Sequence, residues 1–216
     1  MQSIAKQAAA KKISMAIIAI TAWFALVLQL YIMLERAPSI GFTTANTIIN
    51  FFSFFTILSN LLVAISVTIS LFSPASVAGR FYSSISVQSA IALYIFIVGL
   101  VYNLILRSLW APTGWQLVAD NLLHVVVPIL YILYWFIFIP KGVLQWKDGI
   151  PWLLFPLIYL VYSMIRGAFT HWYPYPFLNA TELGYGKSLL NIVMMIAAFL
   201  AVGLLLIAVN RSMKRK

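Results

Sequence analysis

Long apolar stretches, separated by short polar breaks, set the pattern of this chain. Six of them have about the length needed to cross roughly 30 Å of hydrocarbon as helices. They lie near 13–34 (ISMAIIAITAWFALVLQLYIML), 47–72, 84–106, 117–139, 152–171 and 188–210. The connections are short, which predicts sequential antiparallel helices in one compact bundle. No repeat or soluble domain interrupts the pattern, so residues 1–216 read as a single membrane domain. The expected fold class is all-α: a polytopic membrane protein with six transmembrane helices.

The first stretch follows Lys6, Lys11 and Lys12 and has the outline of a secretory signal. Its apolar run exceeds the roughly 7 to 15 residues of a signal core, and ERAPSIG offers no small-x-small cleavage site. A retained first helix is expected.

Composition narrows the chemistry. Hydrophobic residues make up 63% of the chain and charged residues 8%, values that belong to integral membrane proteins rather than soluble domains. The absence of cysteine excludes disulfides, a thiolate nucleophile and cysteine metal sites. Two histidines and four acids are too few for an ordinary zinc centre, so no metal or other cofactor is expected.

A net charge of +10 does not point to nucleic acid, because the basic residues are spread thinly and their distribution matches membrane orientation. Lys6, Lys11, Lys12, Arg80, Lys141, Lys147, Arg211, Lys214, Arg215 and Lys216 fall on one side; Arg36, Arg107 and Lys187 fall on the other. The positive-inside rule then puts both termini in the cytoplasm and the protein in the cell (inner or plasma) membrane. The closing RSMKRK reads as an anchor to the anionic leaflet. Tyr and Trp gather on the outer side, in LRSLWAPTGW and HWYPYPF, where Arg107 is expected to snorkel beside Trp110.

Counting about 1.5 Å of rise per residue from each outer helix entrance places Thr56 about 13 Å down and His124 about 10 Å down. Other polar groups share that half of the membrane: Gln29, Ser59, Asn60, Asn103, Asp120, Asn121 and Arg166, with His171 at the edge. The inner half holds chiefly Gln88, Ser66, Thr68 and Ser70. Polar side chains in hydrocarbon are costly unless they face a bundle interior or wet cavity, so the asymmetry predicts a polar pocket opening outward.

Local spacing sharpens this. Asp120 and Asn121 lie four and three residues before His124, on its helical face. Pro128 has no N–H for the carbonyl of residue 124, which predicts a widened turn beside the histidine. A bland alternative stands beside each of these readings. A membrane histidine can satisfy Asn or Ser partners, a threonine commonly bonds its own helix, and Asp120 can simply complement the helix dipole. Arg166 keeps its charge and must find an acid, carbonyl, water or anionic ligand.

FFSFFTILSNLL at 51–62, HVVVP at 124–128 and YSMIRGAFTHWYPYPFL at 162–178 resemble the androgen-induced gene 1 family of multi-helix membrane proteins, especially its bacterial integral-membrane relatives. The resemblance extends over most of the chain, and its most specific element is the Y-P-Y-P-F run after Arg-Gly. It implies hydrolysis of fatty acid esters of hydroxy fatty acids by an essential threonine and histidine, which correspond to Thr56 and His124. One difference is that eukaryotic members place one more residue between that histidine and the proline.

The expected function is therefore an intramembrane hydrolase of lipid esters, fatty-acyl in class, with Thr56 as nucleophile and His124 as base. An unperturbed imidazole titrates near about 6.5, within reach of neutral pH. Asp120 or Asn121 would orient the ring; Asn60, Asn103 or Arg166 would hold an oxyanion or a substrate carboxylate. Gln29, Ser59, His171, Tyr173 and Tyr175 would line the substrate pocket, with Pro174 and Pro176 stiffening an extended cap over it. The expected partners are membrane lipids or a fatty-acyl ester substrate, and no nucleic acid. The alternative is a lipid- or anion-binding protein or transporter without catalysis.

Overall fold

The computed structural model describes residues 2–109 and 111–213, so the expected partnership of Arg107 with Trp110 and the last three basic residues lie outside it. Among the described residues every regular element is helical, and six helices are long and apolar enough to cross a membrane. The all-α polytopic expectation holds. The chain divides into two compact units, one up to Pro140 and one from Lys141.

The first unit opens with α1 (Gln2–Arg36), longer than its apolar stretch because the lysine-bearing residues before it are helical too. At about 1.5 Å per residue, 35 residues reach roughly 50 Å, well beyond a hydrocarbon core. After a 3-10 turn (Ala37–Ile40), the second apolar stretch is not the continuous helix expected over 47–72. It is divided into α2 (Thr44–Phe52) and α3 (Phe55–Phe72).

The division has a local cause. Ser53 closes α2 twice, its N–H donating to the Asn50 carbonyl at 3.0 Å and its Oγ to the Ile49 carbonyl at 2.6 Å. Carbonyls that a following turn would have served are thus satisfied early. Phe54 is left extended, at φ −87° and ψ 128°, and a new helix starts after it. Thr56 consequently sits in the first turn of α3 rather than midway down a longer helix.

Next come α4 (Val77–Tyr82), α5 (Ile85–Val101) leading into a π turn (Tyr102–Leu106), α6 (Gly114–Asn121), a second π turn (Leu122–Val126), and α7 (Val127–Phe138). α1 packs along α3, and both bury small residues, Ala22 and Ala25 on one and Ala64 on the other. Small residues permit the close backbone approach that drives helix association in lipid. Trp23 Nε1 adds a bond to Thr68 Oγ1 at 3.1 Å. α5 packs on α7, where Trp135 is fully buried and donates to Ser89 Oγ at 2.8 Å. Ile17, Ile20, Phe24 and Val27 stay exposed on α1, as suits a surface wetted by lipid.

Gly79 is fixed by contact rather than by conformation. A Cβ there would overlap the Ser73 carbonyl and the backbone of Pro74, neither of which is a flexible side chain. Gly79→Ala is expected to destabilise the fold by about 2–3 kcal/mol through overpacking. Thermal unfolding in detergent, compared with Ala78→Gly as a control, measures it.

The second unit comprises a 3-10 turn (Trp146–Asp148), α8 (Gly149–Trp152), α9 (Leu154–Thr170), a 3-10 turn (Pro176–Leu178), α10 (Ala180–Leu183) and α11 (Tyr185–Ser212). Buried Asn210 ties the loop to α11: its Oδ1 accepts from the N–H groups of Val143 and Leu144, both at 3.2 Å. Burial lowers the neighbouring Lys141 ammonium to about 8. The segment expected to be extended throughout 174–178 is extended at Tyr175 and then tightens into the 3-10 turn that Pro176 begins. Proline's fixed φ suits the first position of such a turn.

Candidate active site

Two helices bring the principal pair together. Thr56 is buried in the first turn of α3, and His124 lies at the middle of the Leu122–Val126 π turn. Thr56 Oγ1 is 3.3 Å from His124 Nε2. The other ring nitrogen, Nδ1, is 2.9 Å from the Asp120 backbone carbonyl and 3.3 Å from Asp120 Oδ1. Both neighbours of Nδ1 are acceptors, so the ring proton belongs on Nδ1. That leaves Nε2 as the acceptor facing the threonine hydroxyl.

The widened turn expected beside Pro128 is present, and its register changes which carbonyl is orphaned. Val127 N–H bonds back to the Leu122 carbonyl, five residues away. In that register residue 128 would serve Leu123 rather than His124, and proline has no N–H to give. Asn60 supplies the donor: its Nδ2 bonds to the Leu123 carbonyl at 3.1 Å and to the Thr56 carbonyl at 2.9 Å. One amide therefore holds the backbone of the Thr56 turn against that of the π turn bearing His124. Gly99 of α5 lets the π turn pack close, since a Cβ there would lie 3.3 Å from both the His124 carbonyl oxygen and Pro128 Cβ.

Tyr102, absent from the sequence-derived candidates, completes the cluster. Its hydroxyl donates to Asp120 Oδ2, and its ring stacks on the His124 imidazole with centroids 4.1 Å apart and planes 15° from parallel. Nothing in its sequence context marks it, because one tyrosine in an apolar run reads as core. Gln116 was also missed, although it sits four residues before Asp120 as Asp120 sits four before His124. It donates to Gln29 Oε1 at 2.8 Å, so Gln29 is paired with α6.

The remaining candidates separate. Ser59 Oγ and Asn60 Oδ1 are buried without a hydrogen-bond partner among the described residues. Asn121 Nδ2 donates to the Leu117 carbonyl of its own helix at 2.9 Å, which leaves Asp120 as the residue on His124 Nδ1. Asn103 Nδ2 donates to Gly99 at 2.8 Å, and its Oδ1 accepts from Arg107 at 3.0 Å.

Four candidates belong to the second unit. The Arg166 guanidinium lies 4.4 Å over the Trp172 ring, a cation–π arrangement. His171 is exposed and closes α9 in the left-handed region at φ 54°. The Tyr173 ring covers Gly167 where a side chain would otherwise project, and burial, with Tyr185 beside it, pushes the Tyr173 phenol up. Tyr175 stacks on Phe177 with centroids 5.2 Å apart.

The chain matches no family model, no curated protein and no solved structure.

Proposed function

We propose that this protein is an intramembrane hydrolase of lipid esters, fatty-acyl in class, with Thr56 as nucleophile and His124 as general base. The observation that carries the reading is the 3.3 Å approach of Thr56 Oγ1 to His124 Nε2 while Nδ1 faces Asp120. A nucleophile on a base, and the base on an orienting carboxylate, is the arrangement that activates a hydroxyl for acyl transfer. The resemblance to the androgen-induced gene 1 family agrees with it.

The steps follow from the contacts. Thr56 Oγ1 attacks the ester carbonyl as its proton passes to Nε2, and the collapsing tetrahedral intermediate releases the alcohol, which takes that proton. Water then attacks the acyl-threonine, giving a proton to Nε2 that returns to Thr56 as the fatty acid leaves. Asp120 steadies the imidazolium formed in each half. Asn60 Nδ2 already serves two carbonyls, so it is not the oxyanion donor in this arrangement. The amino-terminal turn of α3, which carries Thr56, directs N–H dipoles toward its own start and suits a developing negative charge.

The setting belongs to the same proposal: a multi-pass protein of the cell membrane, both termini cytoplasmic by the distribution of Lys and Arg, acting on membrane lipid. The test is a panel of long-chain fatty-acyl esters given to purified protein, with mass spectrometry of the peptide containing Thr56. Wild type is expected to carry an acyl mass there, and T56A to lose both that mass and at least about a thousandfold in turnover. Equal turnover by T56A would sink the mechanism. Ester binding without turnover by either protein would leave a lipid-binding role instead.

A further inference from the structure

Resting on that reading of the site, we infer that Tyr102 is a positioning residue that sets the orientation of the catalytic imidazole through two separate contacts. Its ring lies flat on His124, and its hydroxyl holds the oxygen of Asp120 that does not face the imidazole.

Each contact removes one freedom that the rest of the site leaves open. His124 lies in a π turn with proline following, so the backbone beneath it is not a regular helical ladder. Hydrogen bonding at Nδ1 fixes one edge of the ring but permits rocking about that edge. A stacked phenol ring 15° from parallel stops the rocking and keeps Nε2 in line with Thr56 Oγ1. Asp120 has a comparable freedom. A carboxylate can rotate to exchange its oxygens, and a donor on Oδ2 keeps Oδ1 at the imidazole.

The position of Tyr102 in the fold supports a built arrangement. It opens the other π turn of this unit, in which Arg107 N–H bonds back to the Tyr102 carbonyl. The extra residue of a π turn re-aims neighbouring side chains, and such turns are frequent at functional sites. Here the two widened turns contribute the two stacked rings. Tyr102 is itself buried, so its hydroxyl has a buried carboxylate as partner where bulk water is absent.

The chain has two histidines, so a His171→Gln background leaves the His124 ring as the one imidazole signal. In ¹⁵N-histidine-labelled protein of that background, the spectrum is expected to show a single tautomer protonated at Nδ1. Tyr102→Leu, which removes ring and hydroxyl, is expected to keep that tautomer, which the Asp120 carbonyl still holds, but to shift and broaden the ring-nitrogen resonances; with His171 intact it is expected to lower kcat about a hundredfold with KM within about twofold. Tyr102→Phe keeps the stack; it is expected to move the Nδ1–H resonance and lower kcat about tenfold.

A Tyr102→Phe protein with the wild-type nitrogen spectrum and kcat overturns the inference, whether or not Tyr102→Leu folds. If wild type hydrolyses no ester but the ring-nitrogen resonances of the His171→Gln protein shift and broaden in Tyr102→Leu, the hydrolase reading fails and the positioning role stands. If hydrolysis is robust and both variants match the parent in spectrum and kcat, the positioning role fails alone.

Discussion

Replacing His124 with alanine is expected to lower kcat for fatty-acyl ester hydrolysis by about ten-thousandfold, with KM changed little. A threonine hydroxyl is a weak nucleophile until its proton has somewhere to go, and Nε2, 3.3 Å from Thr56 Oγ1, is placed to take it. Without it the acylation step relies on water, so the Thr56 peptide should show no acyl mass within the time that wild type needs to saturate. The loss should be partly reversible. Alanine leaves a ring-sized space against Tyr102, and the His124 side chain retains 14% exposure, a route for a small base. Added imidazole should restore some turnover to H124A and none to T56A. Wild-type kcat in H124A would remove the histidine from the mechanism.

Asp120 gives the second large effect, with an order of severity that its backbone dictates. Asn at position 120 keeps the shape but offers a donor where the carboxylate accepted, and a side-chain N–H facing Nδ1 favours the tautomer protonated at Nε2, the wrong one for accepting from Thr56. Ala at the same position loses the charge but leaves the residue's own carbonyl, 2.9 Å from Nδ1, to hold the correct tautomer. D120N is therefore expected to lower kcat by about a thousandfold and D120A by about a hundredfold. A carboxylate acting only as a charge would make the two equal. Steady-state kinetics on the pair, with the ring-nitrogen spectrum of each, separates these accounts.

The parts of this molecule legible in its sequence are those governed by local composition or spacing. Apolar length marked the six spans, because a bilayer demands it of every crossing helix. The four-residue step from Asp120 to His124 gave their shared face, and Pro128 gave the widened turn. Other features needed the folded backbone. Pro128 predicted an unserved carbonyl at residue 124, but the π register moves it to Leu123. The break before α3 carries no proline or glycine; it comes from Ser53 bonding back to Ile49. The depth count assumed an unbroken helix there, and the Thr56–His124 approach rests on how α3 meets the second π turn. Tyr102 was invisible because its role depends on a ring and a carboxylate from another helix.

Asn60 has a consequence for biogenesis. Helices enter a membrane in succession, and the one bearing His124 arrives with the Leu123 carbonyl lacking a donor from its own ladder. Hydrocarbon supplies none. The amide that answers it stands one turn below Thr56, so docking the two helices relieves a polar group and creates the reactive pair in a single event. Under the proposed mechanism a half-inserted chain would be chemically silent toward the lipid around it, whose esters belong to the proposed substrate class. Competence would then arrive with assembly, and a variant without this amide would uncouple the two.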